Sequence, residues 1–348
     1  MATCPRQSRP TNAWWKPLAP YSATPTAPTL TGSPERTPYV GRFAPSPTGP
    51  LHFGSLIAAL GSYLEARHHG GQWLLRIEDV DAPRTVPGAT DTILRQLDAY
   101  GFNRDGDILY QSQRTDIYRE ALNRLIADGK AFACACTRRE LADSALAPDG
   151  SRRYPGTCRS GLPPGQSARA WRLRTTEGVV AWHDTIQGDQ AEDVGQAVGD
   201  FVLLRADGQF AYQLAVVVDD ACQGVTHVVR GADLLGSTAR QIALHAALAL
   251  PPPHYAHLPV AANPAGEKLS KQTLARAIDP ASPVQTLHDA LVFLGQAPPR
   301  ALRDADLQTL WAWSLANWSL ARVPAVISRP VPTDVLHNAL GSPPPTAP

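Results

Sequence analysis

No run of about 18 or more apolar residues occurs in the 348-residue chain, so the sequence predicts no transmembrane helix and no membrane association. The first residues lack the apolar core of a secretory signal, which points to the cytoplasm. Excess charge is missing too: 32 Lys and Arg stand against 31 Asp and Glu, a formal net charge of +1. No whole-molecule field draws nucleic acid, so any basic recognition surface has to be local. Cysteine is scarce. Of five, Cys134, Cys136 and Cys158 fall within 25 residues, while Cys4 and Cys222 stand apart. An odd count with a tight cluster, in a chain without an export signal, reads as metal ligation before disulfide bonding.

What is present is globular. Hydrophobic residues make up 43% and charged residues 18%, enough for one large domain or two ordinary ones. Residues 1–37 and 341–348 are proline-rich, without periodicity, and read as disordered. Between them, "YVGRFAP" predicts a short strand closed by prolines. Leu56, Ile57, Leu60, Tyr63 and Leu64 mark one face of a helix that stops at Gly70-Gly71. "WLLRI" predicts a buried strand, "TDTILRQLDAYG" and "QRTDIYREALNRLIADG" predict helices, and "AFACAC" predicts a strand with Cys134 and Cys136 on one side. Residues 138–174 read as irregular and basic, with eight arginines against Glu140, Asp143 and Asp149. "FAYQLAVVVDD" and "VTHVVRG" read as buried strands, and "STARQIALHAALAL" as a helix. The alternation predicts an α/β fold with a parallel sheet and an insertion.

Three stretches carry chemistry. "GRFAPSPTGPLHFGSL" turns a strand through prolines into a helix, which leaves free backbone N–H groups where a phosphate binds well. Gly54 permits close approach of a nucleotide, and His52 can hydrogen-bond a phosphate; the plainer reading of His52 is a helix cap. "LRIEDVDAPR" ends a strand in Glu78, Asp79, Asp81 and Arg84, where open α/β sheets bind ligands; the plainer reading is a solvated loop of ion pairs. "GEKLSKQ" sets Lys268 and Lys271 on a glycine-led loop that could close over a triphosphate.

In this order the three stretches resemble the signatures of class I aminoacyl-tRNA synthetases, "HFGS" the first and "KLSKQ" the second. "RFAPSPTGPLHFGS" with "LRIEDVD" is similar to the glutamyl-tRNA synthetase branch. Ser55 stands where the first signature ends in His, and Gln272 where the second ends in Ser. Only 76 residues follow Gln272, too few for the helical anticodon-reading domains of that branch. This shortness, "KLSKQ" and the cysteine cluster resemble the glutamyl-queuosine tRNA(Asp) synthetase family, a paralogue of the catalytic half.

That resemblance implies a Rossmann-like nucleotide-binding fold with a zinc-containing insertion. Its expected parts are two catalytic halves at 38–130 and 201–276, an insertion at 131–200 and a short helical segment at 277–340. It implies activation of L-glutamate with ATP and Mg²⁺ without tRNA, then transfer of glutamate to the queuosine base of tRNA(Asp), by a monomer. It places glutamate among Arg42, Phe43, Ala44, Pro45, Ser46, Glu78, Tyr212 and Arg230. It places ATP at His52, Gly54, Ser55 and Lys271, with His52, Lys268 and Lys271 catalytic. A dicarboxylic amino acid needs cations for its carboxylates, which Arg42 and Arg230 supply, and an anion for its ammonium, which Glu78 supplies. The plainer readings are a salt bridge from Arg230 to Asp233 and core packing for Tyr212. The family also implies one structural Zn²⁺ on Cys134, Cys136, Tyr154 and Cys158, distant from the adenylate site; the alternative is three reduced cysteines. Competing functions are a truncated glutamyl-tRNA synthetase charging the terminal ribose, a nucleotidyltransferase sharing the first signature, and a non-catalytic RNA-binding paralogue.

Overall fold

In the computed structural model, which describes residues 38–147, 150–263, 266, 268 and 276–331, β1 (Val40–Phe43) is buried along its whole length and stops just before Pro45. The chain then enters α1 (Phe53–His68), whose Leu56, Ile57, Leu60 and Leu64 are buried, as the spacing predicts. Gly70, at φ +62, turns it back. Gly71 passes so near Tyr39 that a Cβ would lie 2.3 Å from the Tyr39 carbonyl oxygen, so only glycine fits. β2 (Gln72–Ile77) runs parallel to β1. After α2 (Ala89–Ala99), β3 (Leu109–Tyr110) pairs parallel with β2.

The chain continues through α3 (Thr115–Ala127) into β4 (Ala131–Cys134). The described residues that follow are irregular until β5 (Ala170–Leu173), a strand inside the stretch 138–174 that reads as irregular in sequence; it pairs antiparallel with β4. The hairpin of β6 (Val180–Asp184) and β7 (Gly188–Glu192) follows, then the single turn α4 (Val194–Ala197) and β8 (Val202–Leu204). β8 completes a small β4-β5-β8 sheet.

The next element corrects the sequence reading. "FAYQLAVVVDD" is not a strand: Tyr212–Cys222 is the helix α5. Residues Leu214 through Asp220 are all buried, so no amphipathic period marks the helix. A short apolar run rich in valine cannot be told from a buried strand by pattern alone. β9 (His227–Gly231), α6 (Leu235–Ala247) and β10 (His254–Leu258) follow, with β9 and β10 parallel. Asp184 pairs with Tyr255, so the β6–β7 hairpin extends this sheet as β7-β6-β10-β9. β11 (Val260–Ala262) pairs with β12 (Ser328–Pro330) across the helices α7 (Pro283–Phe293) and α8 (Leu307–Asn317).

The sheets β1-β2-β3 and β7-β6-β10-β9 meet edge to edge. Thr226, just before β9, donates its N–H to the Val40 carbonyl, and Val40 N–H donates to the Thr226 hydroxyl, both at 2.9 Å. The strand sequence across the molecule is therefore β3-β2-β1-β9-β10-β6-β7. The chain winds outward in opposite directions from β1 and β9, and a crevice opens at the carboxyl ends of such a pair. One core packs α1 against α7 and α8, and a second packs α3 against α5 and β8. No described helix is long and apolar enough to cross a membrane.

Candidate active site

The crevice holds a cavity of about 720 Å³. It brings together Arg42, Phe43, Ala44, Pro45 and Ser46 from the end of β1, His52, Gly54 and Ser55 from the start of α1, Glu78 after β2, Tyr212 on α5, Arg230 on β9, and Lys268. Lys271 lies outside the described residues, as do residues 1–37 and the expected tail at 341–348. His52 caps α1: its Nδ1 accepts from Ser55 N–H at 3.3 Å and its Nε2 lies 3.2 Å from Ser55 Oγ. The cap therefore sits on the cavity wall, beside helix-start N–H groups suited to phosphate.

The charges behind this wall form a buried chain. Arg42 Nε lies 3.3 Å from Asp220 Oδ1, which also receives Arg76 at 2.7 Å. Arg76 is wholly buried and reaches Glu78 at 3.3 Å with its other terminal nitrogen. Glu78, Arg76, Asp220 and Arg42 thus alternate in sign. Burial, the largest influence, pushes the Glu78 carboxyl above its usual range, although Arg76 and Arg42 pull it down. A partly paired carboxylate of this kind gains from an arriving ammonium. Asp220 behaves oppositely: burial opposes its ionisation, but Arg42 and Arg76 outweigh it and hold the pKa low. Its neighbour Asp219 is satisfied by Gln111 at 2.9 Å, Arg114 at 2.6 Å and the Tyr118 hydroxyl at 2.6 Å. Sequence reasoning missed Arg76, Asp219 and Asp220. The available signal was two acids inside the apolar run "LAVVVDD".

Arg230 does not pair with Asp233. Lys268 takes that carboxylate at 2.6 Å. Arg230 is held instead by neutral partners: His257 Nε2 at 3.0 Å, Gln241 Oε1 at 2.8 Å, Thr238 Oγ1 at 3.0 Å and the Leu234 carbonyl at 3.3 Å. A guanidinium so held keeps its full charge for an incoming carboxylate.

The cysteine cluster lies where β4 ends. The thiols of Cys134, Cys136 and Cys158 lie within 4.8 Å of one another. The Tyr154 hydroxyl is 3.5 Å from Cys134 Sγ and 3.9 Å from Cys136 Sγ, and Cys136 Sγ is 3.7 Å from Cys158 Sγ. A tetrahedron with Zn–S bonds of about 2.3 Å has edges of about 3.8 Å, so three sulfurs and the phenol fit one metal ion. Gly199, at φ +77, lets the chain pass where a Cβ would lie 2.7 Å from the Tyr154 carbonyl. Arg172 donates to Cys134 Sγ at 3.3 Å and stacks 3.9 Å over the Tyr154 ring. Burial opposes ionisation of Cys134, yet the hydrogen bonds of Tyr154 and Arg172 hold it below its usual pKa. Burial and the Cys158 thiol push Cys136 up to about 11. Once deprotonated, ligands at this spacing need a dication between them.

A second cavity of about 980 Å³ joins the cluster to the crevice. Arg84, Arg138, Arg139, Arg169, Arg172 and Arg205 line it, with Cys136 at one end. Ser46, Glu78, Arg84 and Tyr212 line both cavities. The thiols and Tyr154 are not among the residues that line the first cavity; Cys136 lines the second.

Residues 39–289 match the family model of the class I tRNA synthetase (E and Q) catalytic domain, and the chain belongs to the class I aminoacyl-tRNA synthetases of that branch. A glutamate-tRNA synthetase structure from Elizabethkingia anophelis superposes at a TM-score of 0.71 and 26% identity, covering 86% of this chain and 69% of that one. The glutamyl-Q tRNA(Asp) synthetase of Aromatoleum aromaticum is 63% identical over 295 residues, 85% of this chain and 93% of that one. Its counterpart in Chromobacterium violaceum is 60% identical over 287 residues, 82% and 96% of the two chains. Within the branch, the family is that of the glutamyl-Q tRNA(Asp) synthetases.

Proposed function

We propose that the chain is a cytoplasmic, monomeric ATP-dependent ligase that activates L-glutamate without tRNA and then transfers it to the queuosine base of tRNA(Asp). The observation that carries the proposal is the convergence of Arg42, Glu78 and Arg230 on one cavity at the start of α1, opening into an arginine-lined groove. Glu78 receives the ammonium of glutamate, and Arg42 and Arg230 its two carboxylates. The reacting carboxylate attacks the α-phosphate of ATP, and pyrophosphate leaves with the P–O bond electrons. Catalysis is then mostly placement and charge stabilisation. His52, the backbone at Gly54 and Ser55, and Lys268 and Lys271 supply donors to the phosphates, with Mg²⁺ accompanying ATP. Cys134, Cys136, Tyr154 and Cys158 would hold Zn²⁺, which would tie the insertion together. The groove takes the anticodon stem-loop, with Arg138, Arg139 and Arg169 against its phosphates.

The test is glutamate-dependent exchange of pyrophosphate with ATP, run with no tRNA. We expect exchange with glutamate and little with aspartate, whose shorter chain cannot reach both cations. Exchange that appears only with tRNA, or equal rates for the two amino acids, would overturn the proposal. Labelled glutamate should then enter queuosine-containing tRNA(Asp). Charging of tRNA(Glu) instead would identify a truncated glutamyl-tRNA synthetase.

A further inference from the structure

Behind Arg230 lies a buried pair that none of the signature motifs contains. Asp184 closes β6, His257 lies on β10 and Arg230 on β9, three neighbouring strands of one sheet. In register, Asp184 pairs with Tyr255, and His257 with Arg230. Asp184 and His257 have no exposure, and Arg230 has 4%. His257 Nδ1 lies 2.5 Å from Asp184 Oδ2, and its Nε2 lies 3.0 Å from Arg230 Nε and 3.3 Å from Thr238 Oγ1.

Elementary valence settles the protons. Arginine only donates, so His257 Nε2 must accept. The single ring proton of a neutral imidazole is then on Nδ1 and is donated to Asp184. We propose that Asp184 and His257 are positioning residues for the substrate-binding Arg230. Asp184 selects the tautomer of His257, and that tautomer fixes the plane in which Arg230 meets the carboxylate. This rests on the reading that Arg230 binds glutamate. It ties the amino-acid pocket to the β6–β7 hairpin, 46 residues upstream of Arg230.

The arrangement permits a sharp substitution. Asp184 Oδ1 already accepts three backbone N–H groups, from His257 at 3.1 Å, Ile186 at 3.1 Å and Gln187 at 2.9 Å. In Asp184→Asn the carbonyl oxygen must stay there, so the amide nitrogen faces His257 Nδ1. Two donors cannot meet, so the imidazole proton moves to Nε2 and opposes Arg230. The same logic governs an Asp→Asn change behind a catalytic histidine. In tRNA-free exchange assays we expect Asp184→Asn to raise the KM for glutamate roughly tenfold or more. The KM for ATP should stay within about twofold, because the pair does not approach the phosphate end.

Two further measurements keep the outcomes separate. Arg230→Lys, assayed beside it, tests the underlying reading: an unchanged glutamate KM there removes Arg230 from the pocket. A raised KM in Arg230→Lys with none in Asp184→Asn overturns the positioning pair alone. Equal rises in both KM values for Asp184→Asn mean a general structural loss and also overturn it. Should Asp184→Asn fail to fold, ¹⁵N spectra of the native enzyme decide. His257 protonated at Nδ1 alone supports the proposal, and protonation at Nε2 rejects it.

Discussion

Arg76 never touches water, yet it links two residues of the cavity wall, Glu78 and Arg42. It contacts Glu78, Asp220 and the Gln223 side chain, and through Asp220 it fixes Arg42. Removing it leaves two buried carboxylates facing one arginine. We expect Arg76→Met to cost about 3–5 kcal/mol of stability, the range for a broken buried ion pair. Urea unfolding measures this; a loss under about 1 kcal/mol would mean that Glu78 and Asp220 do not depend on Arg76. The residues that line the cavity, Arg42, Glu78 and Arg230, were legible because they sit in motifs. Their buried partners were not. Asp220 lies 178 residues from Arg42, and Asp184 lies 73 from His257, and no local pattern reports a contact across such separations. The plainer alternative for Arg230, a salt bridge to Asp233, could be set aside only in the structure, where Lys268 takes that carboxylate.

Among the elements, α1 and the parallel strands β1, β2 and β9 were legible in the sequence, while β3, β10 and α5 were not. On α5 the consecutive residues Asp219 and Asp220 point about 100° apart and so face different partners. Asp219 serves Arg114 and Tyr118 on one side, and Asp220 serves Arg42 and Arg76 on the other. The strand β4 ends at Cys134 and so aims the first thiol at Tyr154 and Cys158. We expect one Zn²⁺ per chain by elemental analysis. Cys158→Ser should lower metal content and slow transfer to tRNA more than glutamate activation, because the thiols supply nothing to the nucleotide cavity. Loss of activation with transfer intact would reject that division. Arg172, which donates to Cys134 Sγ, also lines the second cavity.

At the level of the whole molecule, near-neutral charge conceals opposite local fields, with the buried acids of α5 behind the pocket and arginines along the groove. Histidines add a pH response. Burial pushes His227, His245 and His257 down to about 4. Their unfolded pKa is about 6.5, so the unfolded chain takes up protons first as the pH falls. The stability these groups contribute is whole above about pH 6.5 and is lost progressively toward about pH 4. Urea midpoints should therefore drop between about pH 7 and pH 5. A flat midpoint would show that these imidazoles titrate as they do in water. The common wall of Ser46, Glu78, Arg84 and Tyr212 carries a lesson for the medicinal chemist. Two weak fragments, one fitted to each cavity, can be joined by a short tether across it. Each half then holds the other at millimolar effective concentration, and a tether the length of that wall should bind far more tightly than one two atoms shorter.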